Sequence, residues 1–402
     1  MQRRELLAGG AALLAAPALR AQSAPSGGWA ALEAAARGQT VVFNAWGGSE
    51  RINAYLQWVA AELKAAHGVV LEHVKLADTA EFVRRVRAEK AAGRSQGSAD
   101  LVWINGENFL AMKREGLLHA PWAEQLPNFA FVDVAGKPTT RIDFAEPVEG
   151  LEAPWGMAQL TFFVDAARAP QPSPASMAGL LDWARRHPGR FTYPKPPQFI
   201  GTTFLKQALA ELNPGAAERA MLARPHAAAA FDALTPPLWR YLDQLHPLLW
   251  RDGKAFPPSP AALNQMLADG ELAMGLAFNP NEAANAIASQ KMPASVQAFQ
   301  LAGGTIGNTH FVAIPYNARS PAGAQVTANF LLSPKAQARK ADLQVWGDPT
   351  VLAVDRLPPA ERARFAGDPV PGQVRAPAPV IPEPHGSWVE PLEAAWLRRY
   401  GA

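Results

Sequence analysis

The chain has 402 residues, a formal net charge of +3 and no cysteine. The lack of cysteine excludes disulfides and thiol chemistry, so a large hydrophobic core must provide the stability. At about 100 to 200 residues per domain, this length predicts two globular lobes. The charge falls to +1 once the three arginines and one glutamate of a predicted leader are removed, which leaves no basic surface to attract nucleic acid.

The first 24 residues predict an export signal peptide. Arg3 and Arg4 precede an apolar run at 8–19, which is shorter than the roughly 20 residues that a membrane span needs. Paired arginines favour the twin-arginine route, but Gln2 stands where that motif usually has Ser or Thr, so the general secretory route remains an alternative. Either route predicts a periplasmic protein that is soluble after cleavage near residues 21–24.

Three apolar segments, each followed by a helical pattern, predict consecutive βαβ units on a parallel sheet. The strands are expected at 40–45, 69–74 and 100–104. Because ligands bind beyond the carboxyl ends of such strands, two loops are predicted to form part of a binding site. They are Trp46-Gly47-Gly48 after the first strand and Asn105-Gly106-Glu107-Asn108 after the third.

The middle of the chain predicts a second α/β lobe. It is expected to contain strands at 159–164, 190–193 and 272–277, and a helix that opens at Thr202. A strand at 309–315 is expected to return to the first lobe. The predicted first lobe therefore comprises 40–150 and 305–345, and the second comprises 151–304 and 346–402.

Five segments resemble the extracytoplasmic solute-binding proteins of ABC importers, in the group that includes maltose, polyamine, thiamine and iron binders. These segments are 40–48, 100–108, 150–164, 191–204 and 304–315. The chain is similar above all to a subgroup labelled thiamine-transport-like. The resemblance implies an α/β fold of the two-lobed type II class, with crossing hinge strands and a ligand cleft that closes by hinge motion. It also implies an inner-membrane permease and ATPase as partners.

Aromatic and polar residues in the loops of this pattern are candidates for contacting the solute. Trp46 and Trp155 lie beside glycine at a strand end or crossing, where an indole face can stack on a flat or cationic solute, and the alternative is that both belong to the core. Glu107 can pair with a cation, or simply favour the start of a helix. The full candidate set is Trp46, Gly47, Gly48, Asn105, Gly106, Glu107, Trp155, Tyr193, Thr202, Thr203, Phe278, Asn279, Asn281 and His310.

Helix starts supply the second reason for several of these candidates. Free amides near Gly106 and near Thr202 and Thr203 suit a carboxylate, phosphate or carbonyl, although ordinary helix capping explains the same residues. Asn279 and Asn281 form a weaker example of such a loop. His310 at the return crossing can touch ligand or serve as a structural histidine.

The sequence gives little support to a catalytic or metal-binding function. Ser95 lies in a Gly-x-Ser-x-Gly pattern, but it follows a helix and precedes a strand, which is the wrong context for a nucleophile elbow. The histidines lack metal-ligand spacing, and neither a Walker loop nor a dinucleotide fingerprint is present. The five tyrosines are isolated, which disfavours ferric iron. No cofactor is expected.

The leading hypothesis is a monomeric periplasmic receptor that binds a small polar organic solute, flat or cationic like thiamine or a polyamine, without a covalent step. One alternative is an exported hydrolase or lyase that acts on carbohydrate. Another is a ligand-sensing module for a membrane signalling partner.

Overall fold

The computed structural model describes residues 28–170, 172–367, 370–375 and 377–401. The predicted export peptide lies outside these residues. Within them, no helix combines the length and the apolar character that a membrane crossing would require.

The strands and helices alternate along most of the described chain. The strands are β1 (Thr40–Trp46), β2 (Val70–Leu76), β3 (Leu101–Ile104), β4 (Ile142–Asp143), β5 (Glu146–Pro147), β6 (Glu152–Gln159), β7 (Thr161–Asp165), β8 (Met274–Ala277), β9 (Val296–Phe299), β10 (Thr305–Ala313) and β11 (Val380–Pro382). The α-helices are α1 (Gly28–Ala36), α2 (Glu50–His67), α3 (Thr79–Ala91), α4 (Glu107–Arg114), α5 (Met177–Arg186), α6 (Phe199–Glu211), α7 (Ala216–Leu222), α8 (Ala228–Leu234), α9 (Pro236–Leu245), α10 (Pro260–Ala268), α11 (Glu282–Ala288), α12 (Pro321–Leu331), α13 (Pro334–Ala341), α14 (Pro359–Arg362) and α15 (Val389–Tyr400).

The predicted α/β fold with two lobes is confirmed. In the larger sheet, β1 pairs in parallel with β2 and β3, while β10 runs antiparallel to β3 and to β6. The smaller sheet has the order β8-β7-β9, with antiparallel pairing on both sides of β7. Helices pack against these sheets, which is the layered arrangement expected from alternating strands and helices.

Local signals placed the elements of the first lobe correctly. Gly68 ends α2 in the left-handed conformation, with φ 68°, which glycine adopts without steric cost. The carboxylate of Asp78 accepts a hydrogen bond from the amide of Ala80 and so caps α3.

In the second lobe, the predicted strand at 190–193 is wrong, because this segment forms only isolated backbone hydrogen bonds, such as the one from the amide of Trp250 to the carbonyl of Phe191.

Two strands cross between the lobes and act as the hinge. β6 places Trp155 in the core of the first lobe and Ala158 in the core of the second. β10 does the reverse, with Ile306 in the second core and Val312 in the first. Since each crossing strand is anchored in both cores, a bend in these strands can move one lobe relative to the other.

The segment after α13 differs from its predicted place. Trp346, Val351, Leu352 and Leu357 are buried in the core of the first lobe, although 346–402 was predicted for the second. The chain joins the second lobe only afterwards, where Trp388 and Trp396 enter its core. Alternating apolar residues indicate burial but do not tell which core receives them, so the sequence left this assignment open to error.

Candidate functional site

The ends of several strands meet along the seam between the lobes. Trp46 and Leu76 are paired at the ends of β1 and β2, and Ile104 at the end of β3 is paired with Phe311 of β10. This register places His310 beside the end of β3, where it pairs with Gly156 of β6. The carboxyl ends of β1, β2 and β3 therefore form one edge of the first lobe, which is where such sheets bind ligands.

The second lobe contributes the loop after β8 to the same seam. Thr161 at the start of β7 pairs with Ala277 at the end of β8, so Phe278 lies next to the crossing strand. The carbonyl oxygen of Phe278 accepts a hydrogen bond from the amide of Gln159, at 3.0 Å. Phe278 is buried and Asn279 is partly exposed.

Trp46 presents an exposed indole at the edge of the first lobe. Its side chain is 37% exposed, which is unusual for so large an apolar group. The indole lies against Gly48, where any Cβ atom would collide with the ring. Gly47 continues the strand pairing, with its amide donating to the carbonyl of Leu76 at 3.0 Å. The two glycines therefore let the loop pass close beneath an accessible aromatic face.

The start of α4 does not offer the free amide that was predicted. The amide of Gly106 donates to Oδ2 of buried Asp143 at 2.7 Å. Gly106 has φ 63° and ψ −131°, and a Cβ atom there would lie 2.7 Å from the ring of Phe144. Gly386 packs against the backbone of Glu107 on another side. Asn105 remains partly exposed beside this covered helix start.

Glu107 lies in a group of carboxyls with one ammonium. Burial raises its pKa, the charges of Glu383 and Asp78 raise it further, and Lys206 opposes them. The pKa of Asp143 is raised well above its usual range, mainly by burial and then by Glu107 and Glu383. Burial also raises the pKa of Glu383 despite the ammonium of Lys206 beside it. The seam thus carries more carboxyl groups than nearby positive charge.

Glu393 on α15 extends this group from the second lobe. Burial raises its pKa to about 7, and the charges of Glu107 and Asp78 act in the same direction. Its Oε1 accepts a hydrogen bond from the hydroxyl of Thr202 at 2.6 Å, which lowers the pKa but does not outweigh burial. Glu107, Glu393 and Asp78 therefore influence one another although three separate elements supply them.

Thr202 and Thr203 lie inside α6, not at its free start, so the prediction of open amides there is wrong. Gln198 caps the helix, with its side-chain oxygen accepting from the amide of Ile200 at 2.7 Å. The amide of Thr202 donates to the carbonyl of Gln198. The hydroxyl of Thr203 donates to the carbonyl of Phe199. Glutamine is an uncommon cap, which explains why the helix start was missed.

Phe199 is an exposed aromatic residue of the second lobe that was not among the predicted contacts. It is the first residue of α6 and is 37% exposed. Its ring makes an edge contact with Phe278, with centroids 5.3 Å apart. The ammonium of Lys206 lies 5.4 Å from the Phe199 ring centroid. No clear signal in the sequence identified this residue, because the unusual Gln198 cap hid the start of α6 and the exposure of the ring is known only from the structure.

Trp155 and Tyr193 are both fully buried. The ring centroid of Trp155 lies 4.9 Å from that of Trp103 in an edge contact. The hydroxyl of Tyr193 lies 2.7 Å from Nε2 of His246 and accepts a hydrogen bond from the indole of Trp396. The hydroxyl of Tyr193 is thus bonded within the second core, whereas the buried Nε1 of Trp155 has no hydrogen-bond partner among the described residues. Because both rings are enclosed, a solute would reach them only after repacking.

His310 belongs to a buried charge cluster at the crossing. Its Nε2 lies 3.1 Å from Oδ1 of Asp348, and Lys340 lies 2.5 Å from Oδ2 of the same carboxylate. Burial raises the pKa of Asp348, but Lys340 and His310 lower it more, so it stays below its ordinary value. A Cβ atom on Gly156 would collide with this cluster. His310 is thus held in place while its ring remains partly exposed at the seam.

Asn279 and Asn281 connect the second lobe to the segment that packs in the first. The side-chain amide of Asn281 donates to the carbonyl of Gly347 at 2.6 Å, and that of Asn279 donates to the carbonyl of Trp346 at 3.4 Å. Arg51 at the start of α2 adds a hydrogen bond to the carbonyl of Asn285 at 3.1 Å. These side chains join the two lobes directly.

Within the described ranges, no group of three or more His, Cys, Asp or Glu side chains is arranged to hold a metal ion. The part of the seam around Glu107 and Glu393 instead offers carboxyl groups, and Trp46 and Phe199 expose a ring on each lobe.

Comparison with known proteins agrees with this architecture. Residues 58–359 match the family model of the bacterial extracellular solute-binding protein. The chain is 49% identical to Protein YnjB of Escherichia coli (strain K12) over 377 residues, which is 93% of this chain and 94% of that protein. The protein therefore belongs to the bacterial extracellular solute-binding protein family, which confirms the resemblance seen in the sequence.

Solved structures share the fold at low sequence identity. The periplasmic binding protein AfuA from Actinobacillus pleuropneumoniae, with fructose-6-phosphate bound, has a TM-score of 0.61 and 16% identity, with 90% of this chain and 99% of that chain covered. The Tp0655 (TpPotD) lipoprotein of Treponema pallidum has a TM-score of 0.64 and 15% identity, over 90% and 99%. At these identities the likeness concerns the fold alone.

Proposed function

We propose that this protein is the periplasmic substrate-binding component of an ABC importer. It captures a small, flat or cationic organic solute between its lobes and delivers it unchanged to a permease and ATPase in the inner membrane. Family membership and the two-lobed fold support the transport role. The observation that carries the choice of solute is the excess of carboxyl groups around Glu107 and Glu393, next to two exposed rings.

The carboxyl groups around Glu107 and Glu393 have only the ammonium of Lys206 as a nearby positive charge to stabilise their ionised forms. Glu107 and Glu393 have raised pKa values because burial and neighbouring carboxylates disfavour their ionised forms. A cation between them would stabilise the ionised forms and so be bound favourably. An anionic solute would meet like charge, and the amide of Gly106, which could have received it, is already occupied by Asp143.

The exposed aromatic rings favour a flat solute. Trp46 is exposed on the first lobe and Phe199 on the second, each at the seam. An aromatic face attracts a cation by about 0.5 to 2 kcal/mol, depending on how far water is excluded. A flat positively charged ring can use both the rings and the carboxylates, which a neutral sugar cannot.

The proposed contact residues follow from exposure. They are Trp46, Gly47, Gly48, Asn105, Glu107, Phe199, Asn279, His310 and Glu393, all of which are at least partly exposed at the seam. Buried residues are left out, namely Gly106, Trp155, Tyr193, Thr202, Thr203 and Phe278. Asn281 is left out because its side-chain amide is bonded to the carbonyl of Gly347.

A binding survey tests the proposal. The purified protein is titrated with ring cations, polyamines, sugars and phosphate esters, with tryptophan emission and calorimetry as readouts. We expect a cation to bind and to be recovered chemically unchanged. Binding confined to sugars or phosphate esters, or steady conversion of a bound compound, would refute the proposal.

A further inference from the structure

Lys206 lies at the buried end of the group of carboxyl side chains around Glu107 and Glu393. It lies on α6 and is only 1% exposed. Its Nζ is 2.7 Å from Oε2 of Glu383 and 4.3 Å from the ring centroid of Phe144. Asn308 donates a hydrogen bond to the other oxygen of Glu383 at 3.1 Å, which fixes the carboxylate.

Two rings and a carboxylate are the surroundings that proteins use to bind an ammonium group from a ligand. Here the protein's own side chain fills that place. Phe199 is shared between the internal ammonium and the open seam, because its ring is 5.4 Å from Nζ and yet 37% exposed. The internal ammonium therefore lies directly behind a proposed contact surface for the solute.

The carboxyl groups divide into an inner and an outer set. The inner set is buried, with Glu383 paired with Lys206 and Asp143 accepting a hydrogen bond from the amide of Gly106. Glu107 and Glu393 are partly exposed, and both are influenced by the charge of Lys206. One cation in the cleft is complementary to the outer pair. A second ammonium farther in would meet the like charge of Lys206 in a poorly solvated place.

We propose that Lys206 restricts the solute to one positive charge, so that the site selects a flat organic monocation and rejects polyamines. The inference rests on the proposed function and narrows its substrate class. The selection comes from the like charge of Lys206 and from the pairing of Glu383 with its ammonium, and not from the size of the cleft.

The wild-type protein provides the first test. Calorimetric titration with thiamine and with N-benzylpyridinium, as ring monocations, is compared with titration by putrescine and spermidine at one ionic strength. We expect at least one ring monocation to bind tenfold or more tightly than either polyamine. A preference for putrescine or spermidine would overturn the role of Lys206 while leaving a cation receptor intact. Failure of every cation to bind would overturn the proposed function itself.

Lys206→Met provides the second test, since it frees Glu383 to receive an ammonium from the solute. We expect putrescine affinity to rise at least tenfold, while affinity for the ring monocation changes less than threefold. Lys206→Arg keeps the charge and should retain the rejection of putrescine. A folded Lys206→Met protein with unchanged selectivity contradicts the inference. If neither variant folds, the wild-type comparison decides.

Discussion

The hydroxyl of Thr202 on α6 donates a 2.6 Å hydrogen bond to the carboxyl group of Glu393 on α15, 191 residues away. Burial and nearby carboxylates nevertheless raise the pKa of Glu393 to about 7. One interaction thus joins two distant parts of the second lobe and leaves a titratable group at the seam. Its protonation near neutral pH links the folded state to the acidity of the surroundings.

Glu393 is expected to contribute a loss of stability as pH rises, because burial raises its pKa on folding. Below its ordinary pKa of 4.5, the carboxyl is protonated in both states. Between that value and about 7, the folded state binds more protons than the unfolded one, so each increase in pH favours unfolding. Burial lowers the pKa of His246 to about 4, so that histidine contributes in the opposite direction up to its ordinary pKa of 6.5. Thermal unfolding of the wild type between pH 5 and 8, compared with that of a Glu393 variant, measures the contribution of Glu393.

Two variants on α15 isolate that effect. Glu393→Gln keeps an acceptor for Thr202 and should show a smaller loss of stability across the same pH range. Glu390→Gln removes an exposed carboxyl from the same helix and serves as the matched control. Equal pH dependence in Glu393→Gln and wild type would contradict the assignment.

Cation binding is expected to release protons, because a positive charge near Glu393 and Glu107 lowers their pKa values. Affinity should therefore rise from pH 6 to pH 8, by up to about tenfold per pH unit for each proton released. Calorimetry in two buffers with different protonation enthalpies measures that number directly. An identical binding enthalpy in both buffers, with pH-independent affinity, would rule out the linkage.

Trp46→Ala should weaken solute binding by about 0.5 to 2 kcal/mol, or roughly two- to thirtyfold, because it removes the exposed aromatic face. Trp46→Phe keeps a ring and should recover part of the loss. Titration of each variant with the solute found in the survey gives the comparison. If Trp46→Ala binds as tightly as wild type, the residue does not contact the solute.

Gly106→Ala should lower the free energy of unfolding by about 1 to 3 kcal/mol, since its backbone conformation is unfavourable for a residue with a side chain. The added Cβ atom would also crowd the Phe144 ring, at 2.7 Å. Gly93→Ala is the matched control, with φ 64° but open space around it, and should cost less. Urea denaturation of both proteins measures the difference, and equal losses would show that the ring contact is unimportant.

Lys340→Met should be strongly destabilising, by about 3 to 5 kcal/mol, because it leaves the buried carboxylate of Asp348 without its ammonium partner. Lys340→Met combined with Asp348→Asn removes both charges and should recover much of the stability. Chemical denaturation of the single and double variants measures the coupling. Additive losses in the double variant would mean that the pair does not act as a unit.

Local sequence patterns were sufficient for the framework of the first lobe. β1, the glycine end of α2 and the Asp78 cap of α3 all depend on residues within one or two turns of each other. The same reasoning failed for α6, where Gln198 is an atypical cap, and for 190–193, where an apolar run forms no regular strand. Periodicity reports that a face is buried, but it does not identify the neighbour that covers it.

The sequence by itself determined that this chain folds into alternating strands and helices and that Trp46 and Glu107 lie near strand ends, because strand patterns and helix caps are local. Only the tertiary structure decided that Lys206, Glu383 and Phe144 meet at the inner end of the seam, while Trp155 and Tyr193 are enclosed in the cores. Their positions depend on the packing of segments far apart in the chain, and that packing is set by how the whole set of buried surfaces fits together.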